Sequence, residues 1–511
     1  MATRSPSAVN NSSHTPMPDL TPYLNTVAGK QNKATGGQTF ESFNPYTGQP
    51  WALIPRCSSD DVDAAVTAAR KAFVSAEWRG ITATARGALL MRLAALVERD
   101  AERLAALETR DNGKLIAEML GQLRYIPQWY RFFGGLADKI HGDVLSIDKP
   151  GIHAYTRREP LGVVACITPW NSPLLLLAWK LAPALAAGNT VVIKPSEHTS
   201  ASTLVFVELF AEAGFPPGVV NTVTGMPDEV GVPLVRHPQV AKIAFTGGEA
   251  GGISVYKAAA EGLKHVTLEL GGKSPNIIFD DASLEDAING GISGIFAATG
   301  QTCIAGSRLL VQRSIHDQTV ERLVKVARQA RIGDPAKSDT QVGPITTRPH
   351  RQRVLDYINI AREAGARCEL GGKTPEDPQL GEGWFVEPTI FSGVTNSMRI
   401  AREEVFGPIL SIIPFEDEDE ALAIANDSPY GLAAGVWTSN MGRAIRMSER
   451  LEAGTVWINC YRTVSFLAPF GGYKRSGLGR ENGAEAINAY LQTKSVLIDT
   501  VGRVANPFVM R

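Results

Sequence analysis

The sequence is poor in cysteine, and its five cysteines lie far apart: Cys57, Cys166, Cys303, Cys368 and Cys460. No CxxC pair occurs, and the eight histidines show no metal-ligand spacing. This pattern argues against a disulfide framework and a zinc site, and it is typical of proteins in a reducing compartment. We therefore expect no bound metal.

The sequence also lacks an excess of either charge. It has 51 lysines and arginines against 52 aspartates and glutamates, a net charge of −1. Because nucleic acids and anionic membranes are bound mainly by strongly basic surfaces, this balance predicts neither as a partner. Long apolar runs are missing too. The most apolar stretch, "PLLLLAWKLAPALAAG", is too short to span a bilayer and contains Lys180 and Pro183.

The first twenty residues are rich in serine, asparagine and proline and lack the apolar core of a signal peptide. We interpret residues 1–20 as a flexible tail and expect a cytoplasmic protein. What the sequence does have is length: 511 residues, 44% of them hydrophobic. That is enough for two or three domains with a large core.

Short β-branched runs alternate with helical stretches after residue 161. "GVVACI", "TVVIK", "KIAFT" and "VTLEL" form one series, and "RLLVQ", "PILSIIPF", "AAGVWTS" and "TVWIN" form a second. Such alternation is typical of parallel strands joined by crossover helices, so we predict an α/β fold with two α/β domains that meet near residue 270. Upstream, Ser59 is predicted to cap a helix. "HGDVLSIDKPGIHAYTRREP" and "AYLQTKSVLIDTV" are predicted to be edge strands used in assembly.

The segment "GQTCIAGSR" places Cys303 among small and polar residues, where a ligand can approach the backbone closely. A buried structural thiol is the commoner role of a lone cysteine, and a nucleophile is the alternative. The local sequence leaves both open.

Two predicted strands are followed by polar side chains, and ligands of open α/β sheets bind beyond the carboxyl ends of strands. In "TPWNSP", Asn171 is a candidate donor to an oxyanion, or simply a helix cap. In "VVIKPSE", the Glu197 carboxylate is placed to accept both hydroxyls of an adenosine ribose, with Lys194 beside it. This suggests NAD, and the alternative is a solvated turn.

"AFTGGEAGG" predicts a strand, a glycine-rich turn and a helix whose N-terminus favours phosphate, although Gly247 and Gly252 do not have the Rossmann spacing. "GGKS" resembles the end of a Walker A loop, but Thr267 stands where that motif needs glycine, which argues against ATP. Glu269 lies in an apolar strand. A desolvated Glu269 would have a raised pKa and serve as a general base, whereas a water-facing one would be an ordinary strand-end residue.

Together these motifs resemble the aldehyde dehydrogenase superfamily of the non-acylating, hydrolytic type. "TPWNSP", "KPSE", "FTGG", "LELGGKSP", "GQTCIAGSR", "EEVFGPI" and "PFGGYKRSGLGRENG" occur in family order. The resemblance implies that Cys303 is the nucleophile, forming a thiohemiacetal and then a thioester, with the oxyanion held by the Asn171 amide and the Cys303 N–H. It implies that Glu269 activates the hydrolytic water. Lys180 and Glu481 would form a secondary proton path, and their alternative role is that of structural ion-pair residues.

The resemblance also implies NAD as the cofactor. Lys194 and Glu197 match the adenosine-ribose clamp, and the Glu197 carboxylate would repel the 2′-phosphate of NADP. Gly248 stands where many members have serine, which removes one hydroxyl donor near the pyrophosphate. The implied cofactor-binding residues are Ile167, Thr168, Pro169, Trp170, Lys194, Ser196, Glu197, Gly231, Thr246, Gly247, Gly248, Leu270, Glu404 and Phe406.

For the substrate, the resemblance implies a tunnel lined by Ser172, Leu176, Trp179, Thr302, Ile304, Arg462 and Phe470. Members that prefer simple hydrophobic aldehydes often have an aromatic residue in place of Ser172. Arg462 would either bind a substrate carboxylate in a bidentate pair or bond within the protein. We therefore expect a polar or carboxylate-bearing semialdehyde as the substrate.

The implied domain organisation is a Rossmann-like cofactor domain, an α/β catalytic domain and a small β arm that makes a homodimer or homotetramer. The ranges are 21–139 and 162–269 for the NAD-binding domain, 270–480 for the catalytic domain, and 140–161 and 485–502 for the oligomerisation arm. Two rival functions are a coenzyme A-acylating semialdehyde dehydrogenase, whose family members lack the glutamate at position 269, and a catalytically silent binding protein of the same fold. Esterase action is a third, expected only as a side activity.

Overall fold

Strands and helices alternate along nearly all of the chain in a computed structural model that describes residues 20–502 and residue 508. Residues 1–19 of the predicted flexible tail lie outside the described residues. The strands are β1 (Thr21–Pro22), β2 (Asn25–Val27), β3 (Lys30–Asn32), β4 (Thr39–Asn44), β5 (Gln49–Pro55), β6 (Val144–Leu145), β7 (Ile152–Pro160), β8 (Val163–Ile167), β9 (Thr190–Lys194), β10 (Val220–Thr222), β11 (Val240–Thr246), β12 (His265–Glu269), β13 (Pro275–Ile278), β14 (Arg308–Gln312), β15 (Arg367–Leu370), β16 (Thr389–Ser392), β17 (Ile409–Phe415), β18 (Tyr430–Gly431), β19 (Ala433–Trp437), β20 (Thr455–Ile458), β21 (Tyr473–Lys474), β22 (Gly477–Leu478) and β23 (Leu491–Asp499).

The α-helices occupy the connections between these strands and most of the segment before β6. They are α1 (Ser59–Val74), α2 (Ala76–Arg79), α3 (Ala83–Arg99), α4 (Ala101–Asn112), α5 (Ile116–Tyr125), α6 (Pro127–Leu136), α7 (Pro173–Ala186), α8 (Ala201–Ala213), α9 (Val232–Arg236), α10 (Glu249–Ala260), α11 (Leu284–Phe296), α12 (His316–Ala327), α13 (Arg348–Glu363), α14 (Arg399–Arg402), α15 (Glu418–Asn426) and α16 (Met441–Arg450).

Two large sheets carry the predicted strand series. The first has the order β10-β9-β8-β11-β12-β22, and all its strands are parallel except β22. The second has the order β15-β16-β17-β14-β13-β19-β20, with only β15 antiparallel. Helices cover both sheets, and the predicted α/β fold class is confirmed.

Both faces of the first sheet are covered by helices. Because side chains alternate along each strand, each strand buries apolar side chains on both faces. In β8, Val164 and Cys166 pack with apolar residues of α3, α6, α7 and α8. Val163, Ala165 and Ile167 point the other way and pack with residues of α1. Hydrophobic burial on two sides explains why these strands are short, continuous apolar runs.

The first helix begins one residue earlier than predicted. Ser58, not Ser59, is the N-cap, and its side chain accepts a hydrogen bond from the Asp60 N–H. The Asp61 carboxylate accepts in return from the Ser58 N–H at 2.9 Å. This reciprocal capping box satisfies two N–H groups at the helix start, and it fixes the boundary.

A separate three-stranded antiparallel sheet joins distant parts of the chain in the order β23-β7-β6. The pairing of β23 with β7 runs from Leu491 opposite Pro160 to Asp499 opposite Ile152. The predicted C-terminal strand therefore begins at Leu491, since residues 484–490 form a 3₁₀ helix. Within the described residues, no helix has both the length and the apolar character needed to cross a membrane.

Candidate active site

Cys303 lies in the turn between α11 and β14, next to a distorted 3₁₀ segment. Ala298 and Thr299 in that segment have φ of +54° and +53°, in the left-handed region that is rare for residues with a side chain. The backbone is also crowded here, because a Cβ on Gly272 would lie 2.9 Å from the Cys303 carbonyl oxygen. The thiol is partly exposed and lines two cavities at once.

Asn171 lines the same two cavities as Cys303. It follows the carboxyl end of β8, its side chain is buried, and its Nδ2 donates to the Gln301 carbonyl at 3.0 Å. The Gln301 side chain is itself fixed, since its Oε1 accepts from the Thr346 N–H at 2.9 Å. An amide group carries two N–H bonds, so one of them is left for another acceptor.

Glu269 is the last residue of β12, with Thr246 of β11 and Gly477 of β22 as its register partners. Its side chain is 3% exposed, and neither carboxylate oxygen has a hydrogen-bond partner among the described residues. Burial, together with the nearby Glu481 carboxylate, raises the pKa of Glu269 well above its usual range. The water-facing alternative is wrong, and the carboxyl has the proton affinity of a base.

Behind Glu269, Lys180 of α7 forms a buried ion pair with Glu481. The Lys180 Nζ lies 2.5 Å from Glu481 Oε1 and donates to Thr246 Oγ1 at 2.6 Å. Both charged side chains are buried. The ammonium also lowers the pKa of Glu269, against the larger effect of burial. The two residues that were expected as a proton path therefore form one connected network beside the candidate base.

Burial, together with the Glu404 and Glu269 carboxylates, raises the pKa of the Cys303 thiol to about 12. The protonated form therefore predominates at neutral pH. Thiolate is the nucleophilic form, so the reaction requires a group that removes this proton or a nearby positive charge.

A cavity of about 430 Å³ extends from Cys303, and all seven predicted substrate residues line it. Part of its lining is an aromatic wall, in which the ring of Trp179 contacts those of Trp129 and Phe470, and the lining also includes charged and polar residues. Sequence reasoning missed several lining residues, which are Lys114, Ala117, Glu118, Gly121, Gln122, Tyr125, Trp129, Leu175 and Val464.

A second cavity, of about 770 Å³, lies on the other side of Cys303. The helix α10 begins here after Gly248. Among residues 20–502, no side chain caps this helix, and a Cβ on Gly248 would meet no atom within 4 Å. Eight of the predicted cofactor residues line this cavity: Pro169, Trp170, Thr246, Gly247, Gly248, Leu270, Glu404 and Phe406.

The other six predicted cofactor residues do not line this cavity. Lys194 Nζ lies 3.6 Å from Glu197 Oε2, and a Cβ on Gly231 would contact the Lys194 stem. Ile167 is the register partner of Lys194, so the group stands at the carboxyl ends of two neighbouring strands. The six residues are Ile167, Thr168, Lys194, Ser196, Glu197 and Gly231.

Helix α13 holds the loop that carries Glu404 and Phe406, a support that no motif in the sequence indicates. His350 Nε2 lies 2.7 Å from the Phe406 carbonyl oxygen, and Arg353 Nη2 donates to the Glu404 carbonyl at 3.0 Å. From the opposite side, the Gly272 N–H donates to Glu404 Oε1 at 3.1 Å. Phe406 has a φ of +61°, a conformation that these contacts maintain.

Comparison with known proteins gives one consistent result. The aldehyde dehydrogenase family matches residues 32–496. A (Z)-2-((N-methylformamido)methylene)-5-hydroxybutyrolactone dehydrogenase from Acinetobacter baylyi is 48% identical, over 93% of this chain and 97% of its own. An aldehyde dehydrogenase from Aspergillus niger is 45% identical, over 92% of this chain and 94% of its own.

Solved structures agree with the sequence relatives. Betaine aldehyde dehydrogenase from Staphylococcus aureus in complex with NAD⁺ superposes with a TM-score of 0.94 at 40% identity, covering 96% of this chain and 97% of that chain. An NAD⁺ complex of aldehyde dehydrogenase from Bacillus cereus gives 0.91 at 44% identity, covering 94% and 96%. The resemblance seen in the motifs thus extends over the chain as a whole, and the protein belongs to the aldehyde dehydrogenase family.

Proposed function

We propose that this protein oxidises an aldehyde to the carboxylic acid, with NAD⁺ as the hydride acceptor. The observation that carries the proposal is the position of Cys303, which lines both cavities together with Asn171. A nucleophile between two cavities is able to meet an aldehyde from one side and a cofactor from the other.

The second cavity fits a dinucleotide. The first N–H groups of α10 are open at its wall, where a pyrophosphate is favoured, and the glycines there leave room for it. Near the other predicted cofactor residues, Thr168 Oγ1 is buried without a partner among the described residues. When bound, the nicotinamide ring supplies a hydride acceptor. The NAD⁺ complexes of the relatives from S. aureus and B. cereus support the same assignment.

In the first half-reaction, the Cys303 sulfur attacks the aldehyde carbon and forms a thiohemiacetal. Its proton is lost to water in the two cavities that Cys303 lines. The oxyanion receives hydrogen bonds from the free Asn171 N–H and the Cys303 backbone N–H. Loss of hydride from the former aldehyde carbon then leaves a thioester on Cys303.

In the second half-reaction, Glu269 takes a proton from water, and the resulting hydroxide attacks the thioester carbon. The C–S bond breaks, the acid leaves, and the departing Cys303 thiolate takes up a proton from water, which restores the thiol. The buried Lys180–Glu481 pair next to Glu269 provides an onward path for the proton. The balanced result is aldehyde, NAD⁺ and water converted to acid, NADH and a proton. Adding coenzyme A and identifying the product as acid or thioester separates this reaction from the acylating one.

For the substrate, we infer a polar or carboxylate-bearing aldehyde. Arg462 lines the substrate cavity, and its Nη1 also donates to the Ser293 carbonyl at 3.1 Å. Arg462 can therefore bond within the protein and also bind a substrate carboxylate, because a guanidinium has five N–H donors. A cationic aldehyde is the second candidate, since the aromatic wall offers cation–π contacts and relatives include betaine aldehyde dehydrogenases.

We also propose the division into NAD-binding, catalytic and arm segments, and a homodimer or homotetramer built through the sheet β23-β7-β6. Apolar side chains of that sheet are exposed, with Val144 at 77% and Leu497 at 62%. Such exposure favours a covering partner, and a second copy is the occupant that the arm implies. Analytical ultracentrifugation tests the state of assembly.

The central experiment is Cys303→Ala. Aldehyde-dependent NADH formation should fall by more than about a hundredfold, because the nucleophile is lost. NAD⁺ binding, measured by calorimetry, should remain. The exposed Cys460 offers a matched control, and Cys460→Ala should behave like the unsubstituted protein. Retention of more than about a hundredth of the activity in Cys303→Ala refutes the assignment.

A further inference from the structure

We propose that Lys114 is a specificity-determining residue that, together with Arg462, selects aldehydes carrying a carboxylate a few atoms from the aldehyde carbon. The proposal rests on the aldehyde oxidation proposed above. It adds a cation that neither the motifs nor the family resemblance singled out.

Lys114 reaches the cavity from the turn between α4 and α5. Gly113 before it has a φ of +76°, which turns the chain back toward the site. The lysine side chain is 3% exposed, and its Nζ donates to Ser172 Oγ at 2.9 Å. An ammonium has three N–H donors, so this bond leaves donors for a ligand.

The Lys114 ammonium has no close counter-ion in the described part of the chain. Among the described residues, no carboxylate oxygen lies within 4.0 Å of its Nζ, although Glu118 lines the same cavity. Glu118 is turned partly elsewhere, since its Oε1 accepts from the Ala298 N–H at 2.7 Å. Arg462 adds a second positive charge at the cavity, and the buried Glu108 carboxylate adds a second negative one near Lys114.

A buried cation without a close counter-ion is costly for the folded protein. A substrate carboxylate placed between Lys114 and Arg462 would supply a close counter-ion. Both cations line the cavity that leads to Cys303, so the pairing would occur inside it. The same two charges disfavour a cationic aldehyde in that position.

The position of Lys114 also limits the length of the substrate. Its bonding partner Ser172 directly follows Asn171, the candidate oxyanion donor, and consecutive Cα atoms are about 3.8 Å apart. A carboxylate held by Lys114 is therefore only a few bonds from a carbonyl held by Asn171. The aromatic wall of the same cavity would contact the methylene groups between them.

The test compares three aldehydes of equal chain length in the same assay: a four-carbon aldehyde ending in carboxylate, butanal, and one ending in trimethylammonium. The readout is the ratio of kcat/KM for the carboxylate compound to that for butanal, so any loss common to both cancels. We expect Lys114→Met to lower this ratio by about tenfold or more, and Arg462→Gln to lower it as well. Lys114→Arg should preserve most of it. Exposed Lys325→Met serves as the control and should leave it unchanged.

The pH dependence provides a second readout. Burial lowers the pKa of Lys114 to about 8, with Arg462 lowering it and Glu118, Glu108 and Cys303 raising it. Lys114 therefore loses its charge as the pH rises through 8, and the ratio should fall there. In Lys114→Arg, the guanidinium stays charged and the fall should vanish.

A binding measurement tests the role of Lys114 without turnover. Calorimetry should show that butanedioate binds to the Cys303→Ala variant. The double variant Cys303→Ala, Lys114→Met should bind it about tenfold more weakly. Equal losses for carboxylate and neutral aldehydes, a preference for the trimethylammonium compound, or unchanged butanedioate binding would each overturn the proposal. Failure to oxidise any of the three aldehydes would instead contradict the proposed function. The two failures are distinguishable, because butanedioate binding tests Lys114 without turnover.

Discussion

The Lys180 Nζ lies 2.5 Å from Glu481 Oε1, and solvent reaches neither side chain to any appreciable extent. The pair is electrostatically linked to Glu269, whose pKa is raised by Glu481 and lowered by Lys180. The opposite charges of Lys180 and Glu481 cancel. Glu269 therefore gains or loses its proton next to a pair with no net charge.

Removing one member of the pair should destabilise the protein more than removing both. Lys180→Met leaves the Glu481 charge buried and unpaired, with an expected loss of about 3–5 kcal/mol. Lys180→Met combined with Glu481→Gln should recover part of that loss. Thermal and urea unfolding of Lys180→Met, Glu481→Gln and the double variant give the comparison. Strictly additive losses would show that the pair does not act as a unit.

Glu269→Gln should separate the two half-reactions. The amide cannot take a proton from water, so the thioester accumulates after up to one NADH per active site has formed. Stopped-flow absorbance measures the burst, and intact-mass analysis detects the acyl adduct. Exposed Glu321→Gln is the matched control. Steady turnover of Glu269→Gln without an adduct would remove Glu269 from the role of base.

NAD⁺ should be preferred over NADP⁺. The Glu197 carboxylate would repel a 2′-phosphate, and Lys194 beside it, at 3.6 Å, softens the repulsion. Comparing kcat/KM for the two cofactors measures the preference. Glu197→Gln should raise the relative use of NADP⁺ by about fivefold or more, while Glu208→Gln on the exposed face of α8 should not. Equal specificity constants in the unsubstituted protein would contradict the ribose-clamp assignment.

Alkylation of Cys303 in the cofactor-free protein should depend steeply on pH. With the pKa raised to about 12, only a trace of thiolate exists at neutral pH. That trace grows about tenfold for each pH unit, because the pH stays below the pKa. Iodoacetamide labelling between about pH 7 and 9, followed by peptide mass analysis, measures it at Cys303 alone. A rate that levels off in this range would show that the thiol has a low pKa in the free protein.

The strands were the part of the fold most readily predicted from the sequence. "TVVIK" and "RLLVQ" coincide with β9 and β14, because strands buried on both faces are continuous apolar runs. Boundaries set by side-chain chemistry were less certain, as at Ser58, where the capping box decided between two adjacent serines.

Within the site, the motif residues next to strand ends could be predicted from the sequence. The residues that contact and hold them could not. Cys303, Asn171 and the substrate residues do line shared cavities. Lys114 and His350 come from segments far away in sequence, a turn and the first turn of a helix. Their proximity to the site results from tertiary packing, and no local pattern in the sequence predicts it.

The strand that ends in Glu269 is paired on one side with β22, through Glu269 opposite Gly477 and the Leu270 N–H bonded to the Ser476 carbonyl at 2.9 Å. During synthesis, therefore, the ribosome must release nearly the whole chain before this edge of the sheet is complete. A nascent chain that ends before residue 476 has the nucleophile and its oxyanion donor but leaves the candidate base at an open sheet edge. The edge of the sheet at Glu269 is thus completed by one of the last strands to be translated, through a pairing that is long-range in sequence.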